Sequence, residues 1–216
     1  MVNILAHTCI RIILQLDADF NQSIDYAIEL ADQAKLYERK AELALVWGPL
    51  IREWLHKVLP DNIEQGKCRE LHVTITPAFP IKHPKLVSDF HSKEDVIEAV
   101  MASIHVPVFL DGKPWTRYRD EMVLDGSFWW FITRDFNQKT CPLPAHISRE
   151  DLYVVDWRED MPHREKLKKE ILGGPAFRAL KPNFVYEMVE AGYLYMRNQH
   201  NQGKLPWENC DKSFIM

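Results

Sequence analysis

The stretch from Trp47 to Leu59 constrains this chain most. Trp47, Leu50, Ile51, Trp54, Leu55, Val58 and Leu59 fall at i, i+3, i+4, i+7, i+8, i+11 and i+12, and Pro60 follows. That spacing places every one of them on a single face of an α-helix, which the proline then stops. A stripe so continuous has to be buried against another element. Trp47 and Trp54 belong to it and read as packing residues.

Other segments supply candidates for that element. Ser23 to Lys40 carries Ile24, Ala27, Ile28, Ala31 and Ala34 at helical spacing. Leu71 to Thr76 alternates and is rich in β-branched residues, so it reads as a strand, and Lys85 to Phe90 reads as a second. Ser92 and Asp95 are spaced as a capping box opening a helix through Val96, Ile97, Ala99 and Val100. Met122 to Leu124 is a short strand entering the turn Asp125-Gly126-Ser127. Residues 132–150 read as loop, Leu152 to Val155 as a strand, and His163 to Leu172 as a basic helix closed by Gly173-Gly174. Asn183 to Asn198 is a last helix, with Val185, Met188, Val189 and Tyr193 on one face. Strands alternating with helices indicate an α/β layered fold, taken as one domain over 1–216.

Several function classes are excluded cheaply. A net charge of −4 and a pI near 6.1 give no electrostatic footing for nucleic acid. The four cysteines are scattered, with no Cys-x-x-Cys pair for zinc or thiol redox chemistry, and read as reduced, intracellular thiols. The nine histidines form no metal-ligand motif and read as surface or satisfied residues. No phosphate-binding glycine loop occurs. Neither a cofactor nor a metal is therefore expected. The apolar start, Met1 to Leu16, is interrupted by Arg11, has no basic lead and is too short to span a bilayer. It reads as a helix facing a sheet.

The candidate nucleophiles are Ser23, Ser88, Ser92, Ser103, Ser127, Ser148 and Ser213, and none has glycine at both −2 and +2. A nucleophile elbow needs those small residues, because the strand-to-helix turn that exposes the hydroxyl is sharp and tightly packed. Two Asp-Gly pairs remain, Asp111-Gly112 and Asp125-Gly126. Each reads by itself as a turn.

From Trp47 through Phe128 the chain resembles the patatin-like phospholipases, particularly their adipose-triglyceride-lipase-like branch. The resemblance is carried by the helix 47–60, the strand Leu71 to Thr76, Val87 to Ser103, His-Val-Pro-Val-Phe at 105–109 and Met-Val-Leu-Asp-Gly-Ser at 122–127. Phe184 to Arg197 is similar to a late helix of that family. The resemblance implies a layered patatin-like α/β fold and hydrolysis of acyl esters by a Ser–Asp dyad. In such a dyad a serine in Gly-x-Ser-x-Gly attacks the ester and the aspartate of the Asp-Gly motif is its base. Asp125 inherits the base position, with Gly126 and Ser127 as motif neighbours, while Ser103 matches a position that is not the nucleophile. Laid against the family, Met1 falls at or within a few residues of the nucleophile, which implies an N-terminally truncated fold.

The chain departs from the pattern after Gly126, where Ser127-Phe128-Trp129-Trp130-Phe131 replaces a polar turn. Those aromatics suit an acyl pocket, a membrane interface or a strand buried on both faces. Two functional readings follow. One is a lipid acyl hydrolase with a lipid or acyl-ester substrate, working in the cytoplasm or at a lipid-droplet or membrane surface. The other is an inactive patatin-like module that binds a lipid surface or a partner.

Overall fold

The computed structural model describes residues 19–39, 43–61, 71–133 and 179–203. The helices expected at Val2–Leu16 and His163–Leu172, the strand at Leu152–Val155 and all but the start of the 132–150 loop lie outside those residues.

Helix α1 spans Phe20–Gln33 and is capped by Asp19, whose carboxylate accepts the Gln22 amide at 2.9 Å. It ends earlier than the apolar pattern suggested. Lys35 turns left-handed at φ 49°, and a 3-10 turn at Leu36–Glu38 follows, sinking Leu36 to 1% exposure. The strong periodicity at 47–59 gives α2, Trp47–Val58. Its Trp54 also reaches α1, where the indole N–H donates to the Ser23 carbonyl at 2.7 Å.

Four strands form one sheet in the order β2-β1-β4-β3: β1 is Val73–Pro77, β2 Lys85–Val87, β3 Thr116–Tyr118 and β4 Glu121–Asp125. All three pairings are antiparallel, with Ile75 opposite Asp125 and Thr116 opposite Val123. The architecture is thus a mix of helices and a small antiparallel sheet, compatible with the α/β expectation. Helix α3, Lys93–Ser103, packs on β1, β3 and β4 and also on α2. Sandwiched in this way it is buried nearly all round, from Val96 and Ile97 to Ala102 and Ser103. Small residues at Ala99 and Ala102 suit that double contact. The core runs from Ile51, Leu55 and Leu59 on or after α2, through α3, to Val73, Ile75 and Val123 of the sheet, with Trp47 and Trp54 packed against it. Complete burial of a leucine such as Leu55 contributes roughly 1.5–3 kcal/mol.

The run Phe128–Thr133 is a short helix, α4, rather than a strand buried on both faces. Its Trp129 ring lies 4.4 Å from the His83 ring, centroid to centroid. The helix takes Ile132 and Thr133 out of the expected loop.

Helix α5, Pro182–Asn201, belongs to a second compact unit and opens with proline in its first turn. Val185, Met188 and Val189 are half-buried as expected. Tyr193, expected on the same face, is 50% exposed. It sits off the half-buried stripe, which continues instead through Tyr195 and Met196. No helix among the described residues is long and apolar enough to cross a membrane.

A polar clasp ties the β3–β4 hairpin to the start of α3. Ser92 accepts the Asp95 amide at 3.1 Å, and Asp95 Oδ2 accepts the His91 amide at 3.1 Å. The same carboxylate takes the Tyr118 hydroxyl at 3.0 Å and an Arg119 N–H at 2.8 Å. Arg119 is held with a left-handed backbone, φ 52°, and also donates to the Asp89 carbonyl. Burial disfavours the Asp95 charge, but the bonds from Arg119, the His91 amide and Tyr118 outweigh it, so its pKa lies below the usual carboxylate value. A depressed carboxylate stabilises the fold above the unfolded pKa, and that stability is lost as pH falls through the folded one. Asp95→Ala should therefore cost about 2 kcal/mol at neutral pH in chemical denaturation. The deficit should shrink in acid below about pH 4. A deficit independent of pH would mean that the charge contributes nothing.

Candidate active site around Asp125

Asp125 ends β4, and the chain turns there because two neighbouring segments, the end of α3 and strand β1, hold it. The Asp125 amide donates to the His105 carbonyl at 3.0 Å and the Gly126 amide to the Ser103 carbonyl at 3.1 Å. On the β1 side, the Thr76 hydroxyl donates to the Gly126 carbonyl at 3.3 Å. A Cβ built on Gly126 would lie 2.2 Å from the Thr74 carbonyl oxygen and 2.8 Å from its carbon. Both are rigid backbone atoms, so only glycine fits.

The carboxylate itself is buried, with Asp125 3% exposed. Its Oδ1 accepts the Ser127 amide at 2.7 Å and the Ser127 hydroxyl as well. Among the described residues, both hydrogen bonds fall on that one oxygen. Burial pushes the Asp125 pKa above the ordinary carboxylate value, and the two bonds from Ser127 pull it back only in part.

His105 is 1% exposed, and one ring nitrogen, Nε2, pairs with the Lys113 carbonyl at 3.2 Å. Burial lowers its pKa, against the opposing pull of Asp111 and of the Lys113 bond. The ring is thereby favoured neutral, donating Nε2–H to the carbonyl. It is a satisfied core histidine, as the sequence reading held for the histidines generally.

The structure places the three motif residues together: Asp125, Gly126 and Ser127 form one buried turn. Asp111-Gly112 remains a plain turn, in which Asp111 accepts the Lys113 amide at 3.0 Å. Ser103 serves through its carbonyl, consistent with a structural role. Sequence reasoning missed Thr74, Thr76 and His105 as the residues that clamp the turn. The signal was faint, because backbone carbonyls do most of the holding and every residue type has one. Among the described residues, no cluster of three His, Cys, Asp or Glu side chains could hold a metal.

The clamp makes two glycines behave oppositely. Gly126→Ala should destabilise the protein by about 3 kcal/mol, since the new methyl meets backbone that cannot move aside. Gly192, inside α5, has nothing within 4 Å of its added Cβ. Gly192→Ala should stabilise by ~0.5–1 kcal/mol through helix propensity. Urea unfolding of both variants checks the pair, and a harmless Gly126→Ala would contradict the geometry.

Sequence comparison finds curated relatives of this chain. The chain is 37% identical over 107 residues to a mouse omega-hydroxyceramide transacylase, covering 50% of this chain and 18% of that protein. It is 36% identical over 77 residues to a mouse 1-acylglycerol-3-phosphate O-acyltransferase, covering 36% of this chain and 18% of the relative. It is 32% identical over 77 residues to human patatin-like phospholipase domain-containing protein 4, covering 36% and 30% respectively. The matched stretch is thus less than a third of each of these relatives. No protein-family model and no solved structure matches the chain. The relatives are patatin-like phospholipase-domain proteins, and over the matched stretch this chain is similar to them at 32–37% identity.

Proposed function

We propose that this chain provides the base half of a serine–aspartate acyl-transfer site acting on lipid acyl esters, within a layered patatin-like fold. The observation that carries the reading is the buried Asp125 carboxylate, fixed at a strand end by a glycine that packs against Thr74. A serine hydroxyl is a weak nucleophile until a neighbouring base takes its proton. A base works best when its pKa approaches the working pH, and burial moves Asp125 in that direction.

In this chemistry the serine oxygen bonds to the ester carbonyl carbon and its proton passes to the Asp125 carboxylate. The tetrahedral intermediate then expels the alcohol, which regains that proton. Water completes a hydrolysis, and a second lipid hydroxyl completes a transfer. The printed activities of the relatives, a transacylase and an acyltransferase, make transfer as natural an outcome as hydrolysis. No serine here lies in Gly-x-Ser-x-Gly, so the nucleophile would come from polypeptide outside these 216 residues.

One observation favours a second reading, a patatin-like module that binds a lipid surface or partner without turnover. Ser127 already occupies Oδ1 with both its amide and its hydroxyl. An aspartate can sit in such a turn for structural reasons alone.

A fusion separates the two. The elbow-bearing segment of a patatin-like relative is placed before Met1, and ester hydrolysis is measured on short-chain and lipid acyl esters. The fusion should be active, and Asp125→Asn should lower its rate by about 10²–10⁴. Asp111→Asn, in the outlying turn, should be close to neutral. An active fusion indifferent to Asp125→Asn would remove the base assignment, and a folded but inert fusion would favour the binding module. The 216-residue chain alone should show no labelling by a fluorophosphonate probe.

A further inference from the structure

Ser127 sits at an unusual intersection. It follows the glycine that no other residue can replace, it is itself buried, and it immediately precedes α4. Its side chain turns back onto Asp125 instead of out to solvent. Amide and hydroxyl converge on the same oxygen, Oδ1, the amide at 2.7 Å. An alanine or glycine at 127 could supply the amide alone.

We propose that Ser127 is a positioning residue for the Asp125 carboxylate, its amide and hydroxyl together holding Oδ1 so that Oδ2 is the oxygen left to exchange a proton. A carboxylate with two donors on one oxygen has one rotamer and one basic edge. Without the hydroxyl, the buried group loses a charge-assisted hydrogen bond that nothing else among the described residues replaces. Burial works against the Asp125 charge, and the Ser127 bonds are the largest influences in its favour. A buried base without them would hold its proton too firmly to accept another. This inference rests on the reading of Asp125 as a base, and it adds a role for the residue beside it.

Among the described residues, the titratable group that faces Asp125 is His105, just after α3; the β1 residues packed there, Thr74, Ile75 and Thr76, do not titrate. The test is therefore an NMR titration of the full chain that follows the Asp125 side-chain carbon, the Ser127 amide proton and the His105 ring separately. In the unaltered protein the Ser127 amide proton should shift with the Asp125 midpoint and not with that of His105. In Ser127→Ala the Asp125 midpoint should rise by about one pH unit, the equivalent of one charge-assisted hydrogen bond. Ser127→Thr, which restores a hydroxyl, should bring it back. A serine needed only for packing would leave the midpoint where it was, and that result overturns the proposal. If Ser127→Ala fails to fold, the amide proton of the unaltered chain decides the matter, because indifference to the Asp125 titration also overturns it. The outcome is independent of turnover. An unmoved midpoint beside an active fusion removes the positioning role alone, whereas Asp125→Asn without effect on that fusion removes the base reading.

Discussion

At Gly126 the backbone leaving β4 passes so close to β1 that a single added carbon would stand 2.2 Å from the Thr74 carbonyl oxygen. This approach fixes where β4 ends and where Asp125 is presented. It also draws in the end of α3, because the amides of Asp125 and Gly126 are met by the carbonyls of His105 and Ser103. Helix α3 in turn lies against both α2 and the sheet, so the central packing of the first unit and the geometry of the turn depend on one another.

The same burial sets the chemistry. Asp125 ends β4 opposite Ile75 of β1 and Asp95 lies in the first turn of α3, yet their surroundings drive the two carboxylates in opposite directions. Asp95 has a guanidinium, a phenol and an amide around it, and its charge is favoured. Asp125 has the two Ser127 donors and a buried histidine held neutral, and its charge is disfavoured. One behaves as a structural anion and the other as a group able to accept a proton.

Much of this arrangement could be read from the residues. The stripe at 47–59 and the Ser92–Asp95 capping box each state a local rule strongly enough to specify their helices, and both helices form where expected. Strand β3, Thr116–Tyr118, gave no such sign because three residues are too few to show alternation. The aromatic run at 128–131 carried no period, and a continuous apolar run does not distinguish helix from strand. In the structure it is a helix that starts directly after the clamped turn. Asp125 was singled out by the ordered resemblance around it, since Asp111-Gly112 has the same local chemistry. The doubled bond from Ser127 was not legible at all, being a matter of side-chain direction that no spacing encodes.

Asp125 is a carboxyl group held where burial opposes its ionisation. A group whose pKa is raised on folding contributes stability below its unfolded pKa, and that contribution is lost as pH rises through the folded value. Asparagine at 125 cannot ionise, so the comparison isolates the effect, the acid response of Asp95 being common to both proteins. Chemical denaturation of the unaltered chain and of Asp125→Asn, from about pH 4 to about pH 7, measures it. The difference in unfolding free energy should move steadily in favour of the asparagine variant as pH rises. Movement in favour of aspartate would show instead that the site welcomes the charge.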